Sequence, residues 1–386
     1  MSRTHPTVPD LRLLPPVLAG WMATRLGLIH APAATVACAA AAAIVSIPIL
    51  SFAKRSSPLI PLSATLLVAA ALATSAALHV YALRQGAVAE LAATGAHVTV
   101  TAAVTGDPKP VKGLILLPVR IETVAPADAP PLRVHSQATV LAHPDAPTAW
   151  TTLLPSMHVQ LTGRLVPPKD PADGDAATLM VNQPPHVIGG PNLIQQLAGS
   201  LRSDLHHAVA GLPPEPAAVL PALTLGDTGA VPADTTADLK TAGLSYLVVV
   251  SGENLVFLSA AVLPLARYAG LRAHALSVFT AILALGFTAL ARPGPPMVRA
   301  TVTALLASVA LSTGRRFRGL TATAGAALIL MLIDPWLAHQ YGFVLSVAAT
   351  AGLLISAPGW RDKLIVGYRL PPWIATTAAY TAAAEI

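Results

Sequence analysis

The chain has 386 residues, of which 54% are hydrophobic and only 11% charged, with a formal net charge of +6. A soluble domain normally carries roughly a quarter charged residues, so an ordinary water-soluble enzyme is excluded as a reading of the whole chain. The single cysteine, Cys38, excludes an intrachain disulfide and a cysteine-based zinc centre.

Residues 13–30 form a short apolar segment carrying Pro15-Pro16 and Arg25. In a helical hairpin with 32–53, Arg25 reaches the interface by snorkelling. The runs 32–53 and 58–83 are almost free of charge and are separated by Lys54-Arg55. Each is long enough, at 1.5 Å per residue, to cross a ~30 Å hydrocarbon core. Between 95 and 190 the pattern changes. Val98, Val100, Ala102 and Val104 share one parity, as do Ile115, Leu117, Val119 and Ile121, and Val159, Leu161 and Leu165 follow the same rule. Period-two patterning bounded by Pro, Gly and Asp predicts half-buried strands, and several short strands suit a small barrel or sandwich, an OB-type barrel being one option. Residues 192–212 read as a helix with Leu193, Leu197, Leu201 and Leu205 on one stripe. Two readings stand side by side for it: an interfacial helix, and a linker helix packed on the strand domain.

Further apolar segments follow at 244–264, 273–291, 296–313, 319–333 and 340–357, and a last one from about 371 stops at Ile386 without a closing polar tail, as in a piece of a longer chain. Basic residues concentrate on the cytoplasmic side of membrane proteins. Placing Arg3 and Arg12 inside puts Lys54-Arg55, Arg267 with Arg272, Arg315-Arg316-Arg318 and Arg361 with Lys363 inside as well. The predicted fold is therefore a polytopic α-helical membrane protein of about nine spans with an inserted, extracytoplasmic β-rich (OB-like) domain. Its expected organisation is 1–86 for the N-terminal spans, 87–191 for the β domain, 192–243 for an amphipathic connecting segment, and 244–386 for a membrane core.

Polar groups interrupt that core at Ser251-Gly252-Glu253-Asn254, at Arg299 and at Asp334-Pro335. A charge at the bilayer centre costs about 2.5–3.5 kcal/mol on insertion scales, so such residues face a partner, water or a transported substrate. The broken pattern at Ser251-Gly252 has two readings, part of a gate or a close helix crossing through a small residue. Glu253 and Arg299 either pair or line one aqueous path, where the planar guanidinium matches a phosphate. Asp334 before Pro335 ends a helix. Gly342 and Ser346 open the next one, with tight packing or a pore role as alternatives. Asp227, Asp234 and Asp238 read as caps and solvated charges.

Several of these residues recur in a known order. Leu223-Thr224-Leu225-Gly226-Asp227, then Ala242-Gly243-Leu244-Ser245-Tyr246 running on to Ser251-Gly252, then Arg299-Ala300, Asp334-Pro335 and Gly342-Phe343-Val344-Leu345-Ser346 together resemble the ComEC family of competence proteins. That family pattern reads LxLGD, AGLSHLLxISGxH, an RA after a Pro, DP and GFxLS. This chain departs from it at Tyr246 and at Glu253-Asn254. The resemblance implies an inner-membrane channel that passes single-stranded DNA in transformation. It also implies the lipid bilayer, other competence proteins (a DNA receptor and a cytoplasmic motor) and a homo-oligomer as partners. No HxHxDH-type motif of the family's metallo-β-lactamase-like nuclease occurs, so neither an enzyme, a cofactor nor a metal is expected.

The candidate DNA path or gate comprises Ser251, Gly252, Glu253, Asn254, Arg299, Asp334, Gly342 and Ser346. In the β domain, Lys109, Lys112, Arg120, Arg133, Arg164 and Lys169 supply weak DNA contact. OB-type single-strand binding needs stacking aromatics beside the basic groove, and only Trp150 lies between 95 and 190. Two rivals differ in class. A secondary transporter of a small polar solute predicts internal repeats, and none is evident. An intramembrane serine protease built on Gly243-Leu244-Ser245 lacks a histidine base in the segments 244–264, 296–313, 319–333 and 340–357, and His274 and His339 sit at segment edges.

Overall fold

The computed structural model describes residues 11–52, 59–111, 113–126, 129–143, 147–169, 174–244, 252–291, 294–313 and 319–384. The chain is mostly helical and divides into two units. One comprises Met1–Leu78, Ser259–Ile282 and Val298–Ile386, the other His79–Leu258 and Leu283–Met297.

Apolar composition sets the helices. In chain order they begin with α1 (Leu14–Ile29), α2 (Pro32–Phe52), α3 (Leu59–Arg84) and α4 (Ala87–Ala93). After the strands come α5 (Pro147–Thr151), α6 (Leu193–Val209), α7 (Pro214–Leu225), α8 (Ala233–Thr241), α9 (Gly252–Tyr268), α10 (Ala273–Leu290), α11 (Pro295–Ser312), α12 (Gly319–Ile333), α13 (Tyr341–Tyr368) and α14 (Pro372–Ala384), where α5 lies inside the strand region. Among the described residues four helices are long and apolar enough to cross a membrane: α2, α3, α10 and α13. Leu14–Ile29, Asn254–Tyr268, Pro295–Ala310 and Gly319–Ile333 are shorter apolar helices. The expected helix end near 357 also moves: α13 runs on through Arg361 and Lys363 to Tyr368, where Arg369 turns into the left-handed region.

The alternation between 95 and 190 produces seven strands, β1 (His97–Val104), β2 (Lys109–Val111), β3 (Leu114–Pro126), β4 (Leu132–Ala142), β5 (His158–Val166), β6 (Ala177–Val181) and β7 (His186–Gly189). β1 pairs antiparallel with β3 and with β5, β3 antiparallel with β4, β4 parallel with β6, and β6 antiparallel with β5. The ring β1–β3–β4–β6–β5 thus closes on itself, with β2 and β7 added outside on β3 and β5. Closure leaves no open edge within the ring. Val98, Val100, Ala102 and Val104 on β1, the odd positions 115–121 on β3, and Val159, Leu161 and Leu165 on β5 are all buried. Trp150 of α5 and Leu153 join that core, as do Val88 and Ala92 of α4.

Gly163 immediately precedes Arg164, where β5 begins to pair with β6 while still paired with β1. A Cβ there would collide with the backbone carbonyl of Met180. Gly163→Ala should therefore strain the barrel by about 1–3 kcal/mol, the usual scale for overpacking, read as a lower unfolding midpoint of the purified protein.

The other unit joins the two ends of the sequence. Leu72 of α3, Ala327, Leu330 and Met331 of α12, and Phe343 of α13 share one cluster, with Trp21, Val298, Val302 and Val347 packed against it. Trp21 Nε1 donates to the Ala338 carbonyl at 2.9 Å, and Ser75 Oγ donates to that of Leu332 at 2.7 Å. Polar tips of helices that are otherwise apolar thus find backbone acceptors, as buried donors must.

Candidate functional site

Arg299 lies in the first turns of α11, a helix opened by Pro295 and Pro296, where a missing N–H removes no helical bond. The helix turns Val298 and Val302 into the cluster shared with α12 and α13. Arg299 is 7% exposed. Its Nε and Nη2 both donate to Ser346 Oγ of α13, at 3.1 and 2.9 Å. Ser346 is held there by the turn that buries Phe343 and packs Val347 on the same cluster. Among the described residues Arg299 has no carboxylate partner.

The physical consequence is direct. Guanidinium carries five N–H donors and no acceptor. The Nε/Nη2 edge that elsewhere chelates a carboxylate or phosphate is here spent on a single neutral hydroxyl. A hydrogen bond to a charged group contributes about 1.5–3 kcal/mol, which offsets part of the cost of burial, and no described carboxylate compensates the charge itself. Among the described residues no ion pair would have to break for the site to accept an anion.

Asp334 follows α12 and accepts from Trp336 N at 3.1 Å, capping the short 3-10 turn Pro335–Ala338. The Asp-Pro step is a turn whose capping carboxylate is on backbone. Gly342 is exposed in the first turn of α13.

In the other unit, α9 is described from Gly252 onward, so Gly252, Glu253 and Asn254 occupy its first turn. Asn254 Nδ2 donates to the Leu223 carbonyl at 3.2 Å, which brings the first and second quoted motifs together. Ser245, Tyr246 and Ser251 lie outside the described residues, as does the side chain of Glu253.

Asp227 corrects an expectation. Instead of a solvated charge it is 8% exposed. Gly226 ends α7 with φ 71°, a left-handed turn that glycine adopts at little cost, and this turn points the next residue inward. Asp227 Oδ2 then sits 3.0 Å from His206 Nε2 of α6, while Oδ1 accepts from Gly229 N at 3.4 Å. Asp234 and Asp238, by contrast, are exposed on α8. Asp227→Ala should loosen the α6–α7 packing by about 0.5–1.5 kcal/mol, the net worth of an intramolecular hydrogen bond, since His206 is half-exposed and can turn to water. Asp227→Asn should recover most of the loss, measured by thermal unfolding in detergent.

Sequence reasoning also missed Arg202. It is buried, with Nε and Nη2 donating to the carbonyls of Leu290 and Ala289 at 2.9 and 3.0 Å. These are among the last carbonyls of α10, which have no partner within the helix. The available signal was an arginine and a histidine four residues apart on the face of α6 away from the leucine stripe.

On the barrel, Lys109, Arg120, Arg133, Arg164 and Lys169 are exposed, and Lys112 lies outside the described residues. Arg120 stands opposite Gln137 and Arg133 opposite Thr123, so both occupy the outer face of β3–β4. Arg164 is turned aside, its Nε on the Gly95 carbonyl at 3.1 Å. Trp150, the lone aromatic, is 1% exposed and cannot stack on a base. The described barrel surface therefore offers charge, hydrogen bonds and scattered aliphatic side chains such as Leu132 and Ile188, but no aromatic ring.

Residues 223–386 match the family model described as Competence protein. No curated protein matches the chain.

Proposed function

Starting from a chain with four helices of membrane-spanning length whose residues 223–386 match the family model described as Competence protein, we propose that it forms a multi-pass conduit that passes single-stranded DNA across the cytoplasmic membrane. The observation that carries this reading is Arg299, buried and held by the Ser346 hydroxyl, with no carboxylate partner among the described residues. A buried ion pair would be a finished structural element, whereas a buried cation on a hydroxyl retains affinity for a passing phosphate. Phosphate contacts carry no sequence information, so passage is sequence-tolerant. The chain acts as a guide and not as an enzyme. Its driving force comes from elsewhere, since no GxxxxGK[ST] phosphate loop occurs in the sequence. A DNA receptor would deliver the strand, a cytoplasmic motor would draw it in, and copies of the chain would assemble around the path.

The barrel belongs to this reading as an OB-type domain on the outer side. Its support is the closed five-strand order with one parallel pair, β4 with β6, and the basic loop asymmetry that puts the segment after α3 outside. With Trp150 in the core, it would steer the strand by charge.

The test is deletion of the gene, followed by separate assays of surface-bound DNA and of nuclease-protected internal DNA. Retained surface binding with loss of the internal pool is expected. Normal internalisation in the deletion strain would end the proposal.

A further inference from the structure

α6 presents its apolar stripe outward. Leu193, Ile194, Leu197 and Leu201 are 75, 61, 66 and 54% exposed, while Ala198, Arg202 and Val209 are buried. Counted at 100° per residue, Leu193 to Leu205 spans an arc of about 120°, wide enough for a complete apolar face. A linker helix resting on the barrel would do the opposite, burying its leucines. What holds α6 instead is its small and polar face. Asn192 caps the helix by accepting from Gln195 N, and its own N–H donates to Ser156 Oγ beside the barrel at 2.9 Å. Gly199 approaches Leu154 closely enough that a Cβ would meet Cδ1 at 3.4 Å. His206 meets Asp227, and Arg202 reaches the last carbonyls of α10.

That last contact fixes the level of the helix. α10 is apolar and of membrane-spanning length, so its final carbonyls come at the edge of the hydrocarbon layer. A helix whose arginine bonds them lies within one side chain of that edge. Leucines exposed at such a depth meet acyl chains, not water.

We propose that α6 is an interfacial helix, lying along the bilayer surface at the end of α10 with Leu193, Ile194, Leu197 and Leu201 inserted among lipid acyl chains. Its occupant is the lipid surface itself. Held by barrel, α10 and the Asp227 turn together, α6 would set the height of the barrel over the membrane. The inference does not depend on DNA passage.

The experiment uses the full chain with Cys38→Ser, reconstituted in phosphatidylglycerol/phosphatidylcholine vesicles. Single cysteines replace Leu197, Leu201, Gln196 or Ser203 and carry a bimane label. Doxyl-labelled lipid is expected to quench the labels at 197 and 201 at least twofold more than those at 196 and 203, with iodide showing the reverse order. Equal iodide quenching at all four positions would overturn the proposal, because the stripe would then be in water. Labels at 197 and 201 shielded from both quenchers would also overturn it, because protein, such as a second copy of the chain, would then cover the stripe. Labelled variants that keep the unfolding midpoint of the parent make each outcome interpretable.

Discussion

Arg299→Ala is expected to reduce nuclease-protected internal DNA by about 10- to 100-fold while leaving surface-bound DNA unchanged. The magnitude follows from losing a hydrogen bond to a charged group, about 1.5–3 kcal/mol, at 1.4 kcal/mol per factor of ten. Arg299→Lys should fall between the two. It keeps the charge but replaces the planar fork with a point charge that cannot span two oxygens. Ser346→Ala removes the hydroxyl that both Nε and Nη2 use, so it should lower uptake without abolishing it, because the cation survives. A structural role predicts another pattern: all three variants would lose folded protein in proportion to uptake. Membrane levels of each variant must therefore be measured beside the DNA pools. The charge-reversed double variant Glu253→Arg with Arg299→Glu gives a further check. Restored uptake there would favour a simple ion pair over a phosphate contact.

The largest expected effect on stability lies in the barrel. Trp150→Ala removes the one aromatic of a core that otherwise consists of Val, Leu, Ile and Ala. A buried Trp truncated to Ala costs about 3–5 kcal/mol, comparable to a substantial part of a small domain's stability. The barrel of this variant should be cleaved early in limited proteolysis of the purified chain. Uptake should fall with it only insofar as the barrel delivers the strand. Trp150→Phe, nearer in volume, should keep most of the stability. If DNA binding by the barrel rested on base stacking, Trp150→Phe would leave it intact and Trp150→Ala would remove it. Burial of the ring at 1% exposure predicts instead that binding tracks folding, and that raising salt weakens it steeply, as for phosphate contacts.

The barrel was the most legible part of the sequence. Each strand faces a core on one side and water on the other, so a two-residue period survives in plain view from Val98 to Val104 and from Ile115 to Ile121. Asp334 was legible for a local reason too, since the residue before proline leaves the helical region. The contacts that build the candidate site are not local. Arg299 and Ser346 stand 47 residues apart, and His206 and Asp227 stand 21 apart. The motif singled out Ser346, but nothing in a one-dimensional pattern pairs it with Arg299. Asp227 was misjudged because three acidic residues in a polar stretch read as solvated, and only the glycine turn at 226 redirects one of them inward. On α6 the leucine stripe was visible, but its direction was not. Periodicity says which residues share a face, and the surrounding molecule decides whether that face meets protein, water or lipid.

The central claim is that the Arg299–Ser346 site opens onto an aqueous route used by the strand. Ser346→Cys in a Cys38→Ser background tests it most directly, by modification with a membrane-impermeant cationic thiol reagent in intact membranes. Rapid modification, slowed several-fold by single-stranded oligonucleotide, is the predicted result. A thiol that stays unreactive in membranes and reacts only after denaturation would contradict the account.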